Sequence, residues 1–476
     1  MRTLRLCLLL AALPLAAHVG SPDIFYEGEA GPYRLLVTVR PPQVVPGVAE
    51  VEIRSASADV RQIRIVPLIL GFKGAQYAPV PDVAKVSAED PQFYTGALWL
   101  MTPGSWQVQI DVDGAHGPGR LSVPVPALAT RMYGMQKTLE AVLIPLGLVL
   151  CIGLVSIAGA AVRYAMLEPG AEPDPARVRR SRVVMSVTAL VVFSVVWLGN
   201  SWWAAEAGTY GERVFKPLQL KPALEDNGRL SLQFINPGWM HRSTDDFLPD
   251  HGHLMHLYVV RIPEMDLVWH LHPERRDSGT FAQNLPAMPA GRYALYGDVV
   301  HANGIAETAT GEIDLPPLSG HPLTGDDAGG AGPALSAADY ARTVSTLPDG
   351  YRMVWERDGK PIRAKQPYEF RFRLEDPQGK PADHIELYMG MLGHAAFVAN
   401  DRTVFAHVHP TGSVPMPAIQ LAQPDNPHAG HMMFPAGPPP EVGFPYGFPK
   451  PGAYRIFVQM KRAGTVETGI FDAKVE

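Results

Sequence analysis

Two apolar runs of about twenty residues constrain this chain more than any other feature of its sequence. They extend from Ala141 to Val162 and from Val183 to Ala205, and each is long enough to cross a bilayer as a helix. Backbone groups in lipid must pair within their own segment, so such runs form helices. We therefore expect transmembrane helices at residues 139–163 and 183–206, joined by a loop at residues 164–182.

The charged residues orient this predicted hairpin. The connection between the runs is rich in arginine, at Arg163, Arg177, Arg179, Arg180 and Arg182. Because positively charged loops stay in the cytoplasm, both flanking regions are expected on the exported side. Residues 1–17 agree, since two arginines, an apolar core and a small-residue ending are typical of a signal peptide. The sequence thus predicts a protein of the bacterial cytoplasmic membrane, with both soluble regions on the periplasmic or extracellular side.

Outside the apolar runs, the sequence favours short strands joined by turns. It contains 45 glycines and 47 prolines, and apolar residues alternate with polar ones in many short stretches. We predict a mainly β fold, with three immunoglobulin-like β-sandwich domains plus the two-helix transmembrane hairpin. The domains are expected at residues 18–130, 208–317 and 338–476, with a flexible linker at residues 318–337.

Charge and cysteine content exclude several functions. The net charge is −6 and no long basic tract occurs, so nucleic acid is not an expected partner. The two cysteines, Cys7 and Cys151, fall in the predicted signal and in the first apolar run, which leaves no thiolate ligand in the exported regions. The sequence has no Gly-x-Ser-x-Gly, phosphate-binding Gly-rich loop or His-Glu-x-x-His motif, so it indicates no particular enzyme.

A histidine pattern occurs twice in the second half of the chain. The first copy places His256 near the start of one predicted strand, and His270 and His272 at the end of the next. The second copy repeats this arrangement with His394, His407 and His409. Strand side chains alternate between faces, so the histidines of each His-x-His point the same way, and antiparallel pairing could bring the third beside them. Each copy therefore predicts a cluster of three imidazoles.

Imidazole binds both copper and zinc, and we expect copper before zinc. Asp298 is the candidate fourth ligand of the first copy, with His251, His253 and His301 as alternatives. Cleavage of the signal after residue 17 would make His18 the mature N-terminus, where its amine and imidazole could chelate copper. The alternative for His18 is an incidental position at a frayed terminus.

Other interpretations of the histidine pattern remain open. Each His-x-His-Pro could be a packed strand end whose imidazoles bond main-chain carbonyls. If metal binds, the protein would sequester it or deliver it to a protein partner. One rival is a non-metal adhesion or scaffold protein whose β-sandwich loops bind a protein or glycan. Another is a metal-dependent oxidase or hydrolase.

The motifs resemble those of an uncharacterised family of bacterial exported membrane proteins. The resemblance rests on Gly-x-x-x-His at Gly252–His256, Phe-x-His-x-His-Pro at Phe405–Pro410 and Phe-Pro-Tyr-Gly-Phe-Pro at Phe444–Pro449. The domain endings, with Gly-x-Trp/Tyr before an alternating strand and a glycine turn, are similar to YtkA-like, FixH-like and CopC-like immunoglobulin-type domains. The second resemblance implies an extracytoplasmic β-sandwich with a link to copper handling, and carries over no CopC-like ligand beyond His18.

Overall fold

The computed structural model describes residues 22–71, 78–132, 134–226, 228–240, 242–426, 434 and 437–476. The predicted signal peptide at residues 1–17 and the candidate ligand His18 lie outside the described residues. Within them the fold is mainly β, with several antiparallel sheets and two long apolar helices, which confirms the predicted class at this level. Thr130–Val214 form one compact unit, and the β regions before and after them form another.

The N-terminal β region contains two antiparallel sheets. Its strands are β1 (Ile24–Ala30), β2 (Tyr33–Arg40), β3 (Gly47–Ser55), β4 (Val60–Ile69), β5 (Asp82–Val83), β6 (Lys85–Val86), β7 (Phe93–Leu100), β8 (Gly104–Gly114) and β9 (Gly117–Ala127). They are ordered β1-β2-β3-β7-β6 in one sheet and β5-β4-β8-β9 in the other. Every second side chain of β8 is buried from Trp106 to Val112, the period expected of a strand with one face on a core.

Two helices form the second unit, α1 (Lys137–Tyr164) and α2 (Pro175–Arg213). Both are long and apolar enough to cross a membrane, and their most apolar stretches are exposed. α2 begins at Pro175, earlier than the predicted span, because Asp174 accepts a hydrogen bond from the Arg177 amide at 2.7 Å and proline suits the first turn. Ser181 donates to the carbonyl of Gly159 at 2.7 Å, which joins the two helices.

The middle β region contains strands that pair as one long sheet. They are β10 (Gln219–Leu224), β11 (Arg229–Ile235), β12 (Phe247–Leu248), β13 (His256–Ile262), β14 (Leu267–Leu271), β15 (Glu274–Asp277), β16 (Thr280–Asn284), β17 (Gly291–His301), β18 (Ala306–Leu315) and β19 (Ala328–Ala331). The order is β15-β16-β11-β10-β18-β17-β13-β14-β19, with β12 also on β17. One parallel residue pair joins β10 to β18. Leu232 and Phe281 from one half share a core with Leu257 and Leu295 from the other, so the two halves pack face to face.

The C-terminal β region also has two sheets. Its elements are β20 (Val344–Thr346), β21 (Arg352–Glu356), β22 (Tyr368–Glu375), β23 (Ile385–Glu386), β24 (His394–Ala399), β25 (Phe405–Val408), α3 (Met416–Ala422), β26 (Glu441–Tyr446), β27 (Gly452–Arg462) and β28 (Thr465–Val475). One sheet is ordered β20-β21-β22-β26, and the other β23-β27-β24-β25 with β28 also on β27. Phe444, Tyr446 and Phe448 are fully buried in the core between them.

The middle and C-terminal regions pack sheet against sheet. On β13, Leu257 and Val259 face the core of the middle region, whereas Tyr258 and Val260 face the C-terminal region. Tyr258 packs against Phe405 of β25, with ring centroids 5.3 Å apart. A strand that is covered on both sides is apolar at successive positions, as β13 is. We call the surface where the Tyr258 side of β13 packs against the C-terminal region the shared face. The shared face carries the candidate site.

The segment at residues 318–337, expected to be a flexible linker, instead contains a strand. β19 pairs antiparallel with β14. A Cβ at Gly330 would lie 2.5 Å from Cγ2 of Thr468, and one at Gly329 would lie 3.0 Å from Cδ1 of Trp269. These glycines allow β19 to pack closely against Trp269 and Thr468. The glycine-rich composition that predicted a flexible linker therefore belongs to a strand that has no room for larger side chains.

The N-terminal region holds the segment that follows the second His-x-His. The amide of Glu27 donates to the carbonyl of Thr411 at 2.8 Å, and the amide of Ser413 donates to the carbonyl of Phe25 at 2.9 Å. The Phe25 side chain belongs to the core of the C-terminal region. Residues 411–413, which follow His409, are therefore held by backbone hydrogen bonds and by packing.

Candidate metal centre

Eight of the described histidines gather on the shared face. They come from both copies of the sequence pattern and from the loop before β13, and neighbouring ring centroids lie 4.0–6.2 Å apart. This histidine cluster consists of His251, His253, His256, His270, His272, His394, His407 and His409.

Strand alternation places both copies on this face. His256 begins β13 two residues before Tyr258, and His270 of β14 is the antiparallel partner of Tyr258. Since Tyr258 faces the C-terminal region, both histidines do too. The second copy has the same arrangement with His394, Ala396 and His407. The sequence predicted one cluster in each domain, whereas the structure combines the two copies in one composite cluster.

His256, His270 and His272, which we call the first triad, come together as the sequence pattern suggested. One ring nitrogen from each lies within 4.8 Å of the others. The closest pair is Nδ1 of His256 and Nε2 of His270, at 3.0 Å. Nitrogen ligands at about 2.0–2.1 Å from a tetrahedral ion are about 3.3 Å apart, so this pair already has the spacing of two ligands.

The contacts of His256 and His270 show which nitrogens carry protons. Nε2 of His256 lies 3.0 Å from the main-chain carbonyl oxygen of Asp250 and must donate to it, which leaves a lone pair on Nδ1. Nδ1 of His270 lies 2.9 Å from Oε1 of Gln459. It is also 3.3 Å from the hydroxyl oxygen of Tyr388, whose proton goes to the carbonyl of Asp326 at 2.7 Å. Nδ1 of His270 is therefore the donor, and Nε2 carries the lone pair.

His272 completes the same arrangement. Its Nδ1 donates to Oδ1 of Asp327 at 3.0 Å, and its main-chain amide donates to the same oxygen at 2.9 Å. Its Nε2 is buried and has no hydrogen-bond partner among the described residues. All three rings thus use one nitrogen to bond an oxygen and keep a lone pair on the other, as metal-binding histidines do.

The imidazoles of the first triad are neutral, which leaves their lone pairs available to a cation. Burial lowers the pKa of His256 and of His270 well below the ordinary histidine value, and neighbouring imidazoles lower it further. Burial also lowers the pKa of His272, although Asp327 opposes this shift. The rings are therefore neutral at neutral pH, and the lone pairs of His256 and His270 face each other at 3.0 Å. Only a positive charge between these two lone pairs would be stabilised by both.

Asp298, predicted as a fourth ligand of the first copy, lies beside the second copy. Its Oδ2 is 3.4 Å from Nδ1 of His407. Gln459, which occupies the equivalent position in the C-terminal region, contacts His270 in turn. Each region thus places a side-chain oxygen beside the first histidine of the other region's His-x-His motif. A threonine on the next strand hydrogen-bonds each of these residues, Thr308 for Asp298 and Thr468 for Gln459.

The second triad differs from the predicted set. His394 and His409 group with His251, a residue of the middle region, and one ring nitrogen from each lies within 4.8 Å of the others. His407 lies between the triads, its ring centroid 5.1 Å from that of His256 and 5.4 Å from that of His394. The sequence could not foresee this exchange, because His251 enters from a loop of the other repeat.

The remaining alternatives for a fourth ligand occupy different positions. His253 stacks on His272 with ring centroids 4.0 Å apart, and its Nε2 lies 3.2 Å from Oδ2 of Asp326. His301 is not part of the histidine cluster, and its Nδ1 lies 2.8 Å from Oδ1 of Asp246. The structure therefore brings His253 to the first triad and leaves His301 in a separate polar contact.

Two acidic residues at the site were missed by sequence reasoning. Asp250, in the polar stretch just before the histidines, is buried, and burial raises its pKa to about 7. Its Oδ1 accepts from the Met416 amide at 3.2 Å and lies 3.6 Å from Nε2 of His251. Asp327 lay in the predicted linker. The signal for Asp250 was its position next to the histidines, but nothing local in the sequence placed Asp327 beside His272.

Comparison with known proteins locates one domain family in the chain. Residues 343–476 match a family described as "Domain of unknown function (DUF8832)". The match contains the second copy of the histidine pattern and the C-terminal β region, but not the first copy. No curated protein matches the sequence.

Several solved structures are weakly similar. The FN1–FN3 domains of chicken CNTN1 share 7% identity, with 92% of this chain and 97% of that chain covered and a TM-score of 0.16. Invasin, a bacterial integrin-binding protein, shares 8% identity over 93% of this chain and 60% of its own, with a TM-score of 0.14. A putative membrane anchored protein from Corynebacterium diphtheriae shares 9% identity over 95% and 94%, with a TM-score of 0.15. TM-scores of this size do not define a common fold.

Proposed function

We propose that this protein binds a transition-metal ion, copper before zinc, at His256, His270 and His272, and sequesters it or delivers it to a protein partner. Two membrane helices anchor it in the bacterial cytoplasmic membrane, and three immunoglobulin-like β-sandwich domains stand on the exported side. His394, His407, His409 and Asp298 belong to the same centre, and His18 is a further candidate ligand. The metal-binding hypothesis depends on the first triad.

One observation carries this proposal: in the first triad, the lone pairs on Nδ1 of His256 and Nε2 of His270 face each other. In a packed strand end, each buried imidazole would use both nitrogens in hydrogen bonds with the protein. Here the outer nitrogens bond oxygens, and the inner nitrogens of His256 and His270 are 3.0 Å apart with no proton assigned between them. A protonated pair would place a charge in a buried site, and the lowered pKa values oppose this.

The donor set supports copper or zinc over harder ions. Three neutral imidazoles suit both metals, and the order of divalent affinities puts copper above zinc at a given nitrogen site. Calcium and magnesium prefer oxygen ligands. Asp327 bonds His272 through the imidazole N–H, which raises the basicity of the ring without occupying a ligand position.

Metal analysis of the full-length protein in detergent tests the proposal. The protein is stripped with a chelator, loaded with Cu(II) or Zn(II), passed through a desalting column and analysed by mass spectrometry. The double variant His270→Asn/His272→Asn removes both Nε2 ligands, while each asparagine retains a donor near the position of Nδ1. His384→Asn is the control, because His384 is exposed and asparagine tolerates its positive φ of 52°.

The parent and His384→Asn proteins are expected to retain the metal, and the double variant to lose the tightly held ion. Retention of the same tightly held ion by the double variant, with its fold intact by circular dichroism, would exclude the proposal. A protein partner captured equally well by the double variant and in the presence of chelator would favour the adhesion or scaffold hypothesis.

A further inference from the structure

A second group of buried imidazoles lies beside the first triad. His251 comes from the loop before β13, whereas His394 begins β24 and His409 directly follows β25. The three ring centroids lie 4.9–5.0 Å from one another, so they form a nearly equilateral triangle. The His251 side chain is fully buried, and His394 and His409 are buried as well. We call these residues the second triad.

His394 has an unsatisfied polar ring. Neither of its nitrogens has a hydrogen-bond partner among the described residues, although the residue is fully buried. A neutral imidazole carries one donor and one acceptor, and leaving both unpaired in the interior is costly. An ion held by the triangle would use the lone pair of this ring together with those of its two neighbours.

The backbone at His251 adds an independent observation. Its φ is 49°, in the left-handed region that residues with a side chain adopt infrequently. Paired hydrogen bonds between Asp250 and His253, at 2.8 and 2.9 Å, close the tight turn that contains it. The loop thus holds an unusual conformation that turns the ring of His251 away from its own strand and towards the other repeat.

The supporting contacts of the two triads differ. Each ring of the first triad donates to an oxygen at 2.9–3.0 Å, through Asp250, Gln459 and Asp327. His394 has no such acceptor among the described residues. Loss of such contacts typically weakens metal binding by about 10–100-fold, so the second triad should bind an ion less tightly than the first.

From these observations we infer that a second metal ion binds at His251, His394 and His409, more weakly than the first, and that it is the exchangeable ion of a paired centre. The inference rests on the proposed metal-binding function. A cavity of about 30 Å³ supports it, because His256 of the first triad and His409 of the second both line this cavity. The volume accommodates a water molecule that could act as a further ligand.

Titration of the metal-free, full-length protein in detergent tests the inference. Cu(II) is added against a series of competing chelators, and the bound ions are counted as differences between variants, so that other histidines cancel. His251→Asn removes one ring of the second triad and keeps a residue that tolerates positive φ. His394→Asn is the second variant, His272→Asn weakens the first triad, and His384→Asn is the control.

The parent and the control should bind one ion tightly and another with a Kd at least about tenfold higher. His251→Asn and His394→Asn should lose the weaker ion and keep the tight one, whereas His272→Asn should reduce tight binding. Two Cu(II) ions bound close together should also give a dipolar electron paramagnetic resonance signal that is absent from His251→Asn. If the parent saturates at one tight ion, or if both second-triad variants bind like the parent, this inference is wrong while the proposed function stands. If the parent protein binds no ion tightly, both the proposed function and this inference are wrong.

Discussion

At the scale of single residues, hydrogen bonds to oxygen decide which nitrogen a histidine offers to a metal. Gln459 gives the clearest case, because its side-chain oxygen holds Nδ1 of His270 and leaves Nε2 directed at His256. The glutamine is almost completely buried and belongs to a different β region from His270. The orientation of one ligand therefore depends on how the two regions pack together.

Replacing Gln459 with leucine should weaken metal binding without changing the number of ions bound. The substitution keeps the side-chain size but removes the acceptor, and we expect about a 10–100-fold higher Kd in a chelator competition assay. Gln459→Glu restores an oxygen that can accept from His270 and should bind within a few-fold of the parent. Equal affinities for the parent and the leucine variant would show that this contact does not orient His270.

Acid should destabilise the metal-free protein. Burial lowers the pKa of several histidines well below their ordinary value, namely His256, His270, His394 and His409. Their folded pKa values lie below the unfolded value of about 6.5, so below that pH the unfolded chain binds more protons. As the pH decreases below about 6.5, the free energy of unfolding should decrease by up to about 1.4 kcal/mol per pH unit for each such histidine. Well above pH 6.5 this loss of stability is absent.

Unfolding of the chelated protein at several pH values between 7.5 and 5.5 measures this effect. His394→Asn should show a shallower slope than the parent, because one of the titrating groups is gone. A slope for His394→Asn as steep as that of the parent would contradict the burial of a neutral His394 imidazole in the absence of metal.

At the scale of elements, β19 shows how a glycine-rich segment can be rigid. Its strand pairing brings Asp327, the residue before the strand, to His272 and also to Gln283, whose side-chain amide donates to Oδ2 at 2.9 Å. The two central glycines leave room for Trp269 and Thr468. A linker in this position could not hold the carboxylate, so the strand is part of the site.

Gly330→Ala should destabilise the protein by about 1–3 kcal/mol, because the added methyl group would overlap Thr468. It should also weaken metal binding, since displacement of β19 moves Asp327. Thermal unfolding and chelator competition measure the two effects. Gly208→Ala is the control, because Gly208 lies in helix α2, where an added methyl group would meet no neighbouring side chain of the described residues within 4 Å and alanine favours the helix. Parent-like stability of Gly330→Ala would show that β19 adjusts without cost.

At the scale of the whole molecule, one buried arginine fastens the two β regions that share the site. Nε of Arg455 donates to the main-chain carbonyl of Met265 at 2.8 Å, and its other nitrogens bond Asp472 and the carbonyl of Pro333. Arg455 and Asp472 are both fully buried. The guanidinium therefore joins β27 to the β13–β14 turn and to the segment after β19.

Arg455→Met should destabilise the protein by about 3–5 kcal/mol, because Asp472 would remain as a buried charge without its closest partner. The double variant Arg455→Met/Asp472→Leu removes both charges and should recover much of this loss. Thermal unfolding in detergent compares the three proteins. A single variant as stable as the parent would mean that the ion pair does not hold the regions together.

Much of the histidine site was within reach of sequence reasoning. The period of two along a strand placed His270 with His272, and His407 with His409, and their ring centroids are 4.6 Å apart in both pairs. Asp327 was not recognised, and His251 was placed with the first copy, because their contacts join segments that no local pattern relates.

The sequence by itself determined the mainly β class, the two long apolar helices and the number of imidazoles on one face of each histidine hairpin. These follow from local physics, since side-chain alternation and apolar run length act over a few residues. Only the tertiary structure decided that the two hairpins face each other across the shared face. β13 is apolar on both sides, through Leu257 on one and Tyr258 on the other. Its sequence therefore does not specify which surface covers which side, and the packing of whole sheets makes that choice.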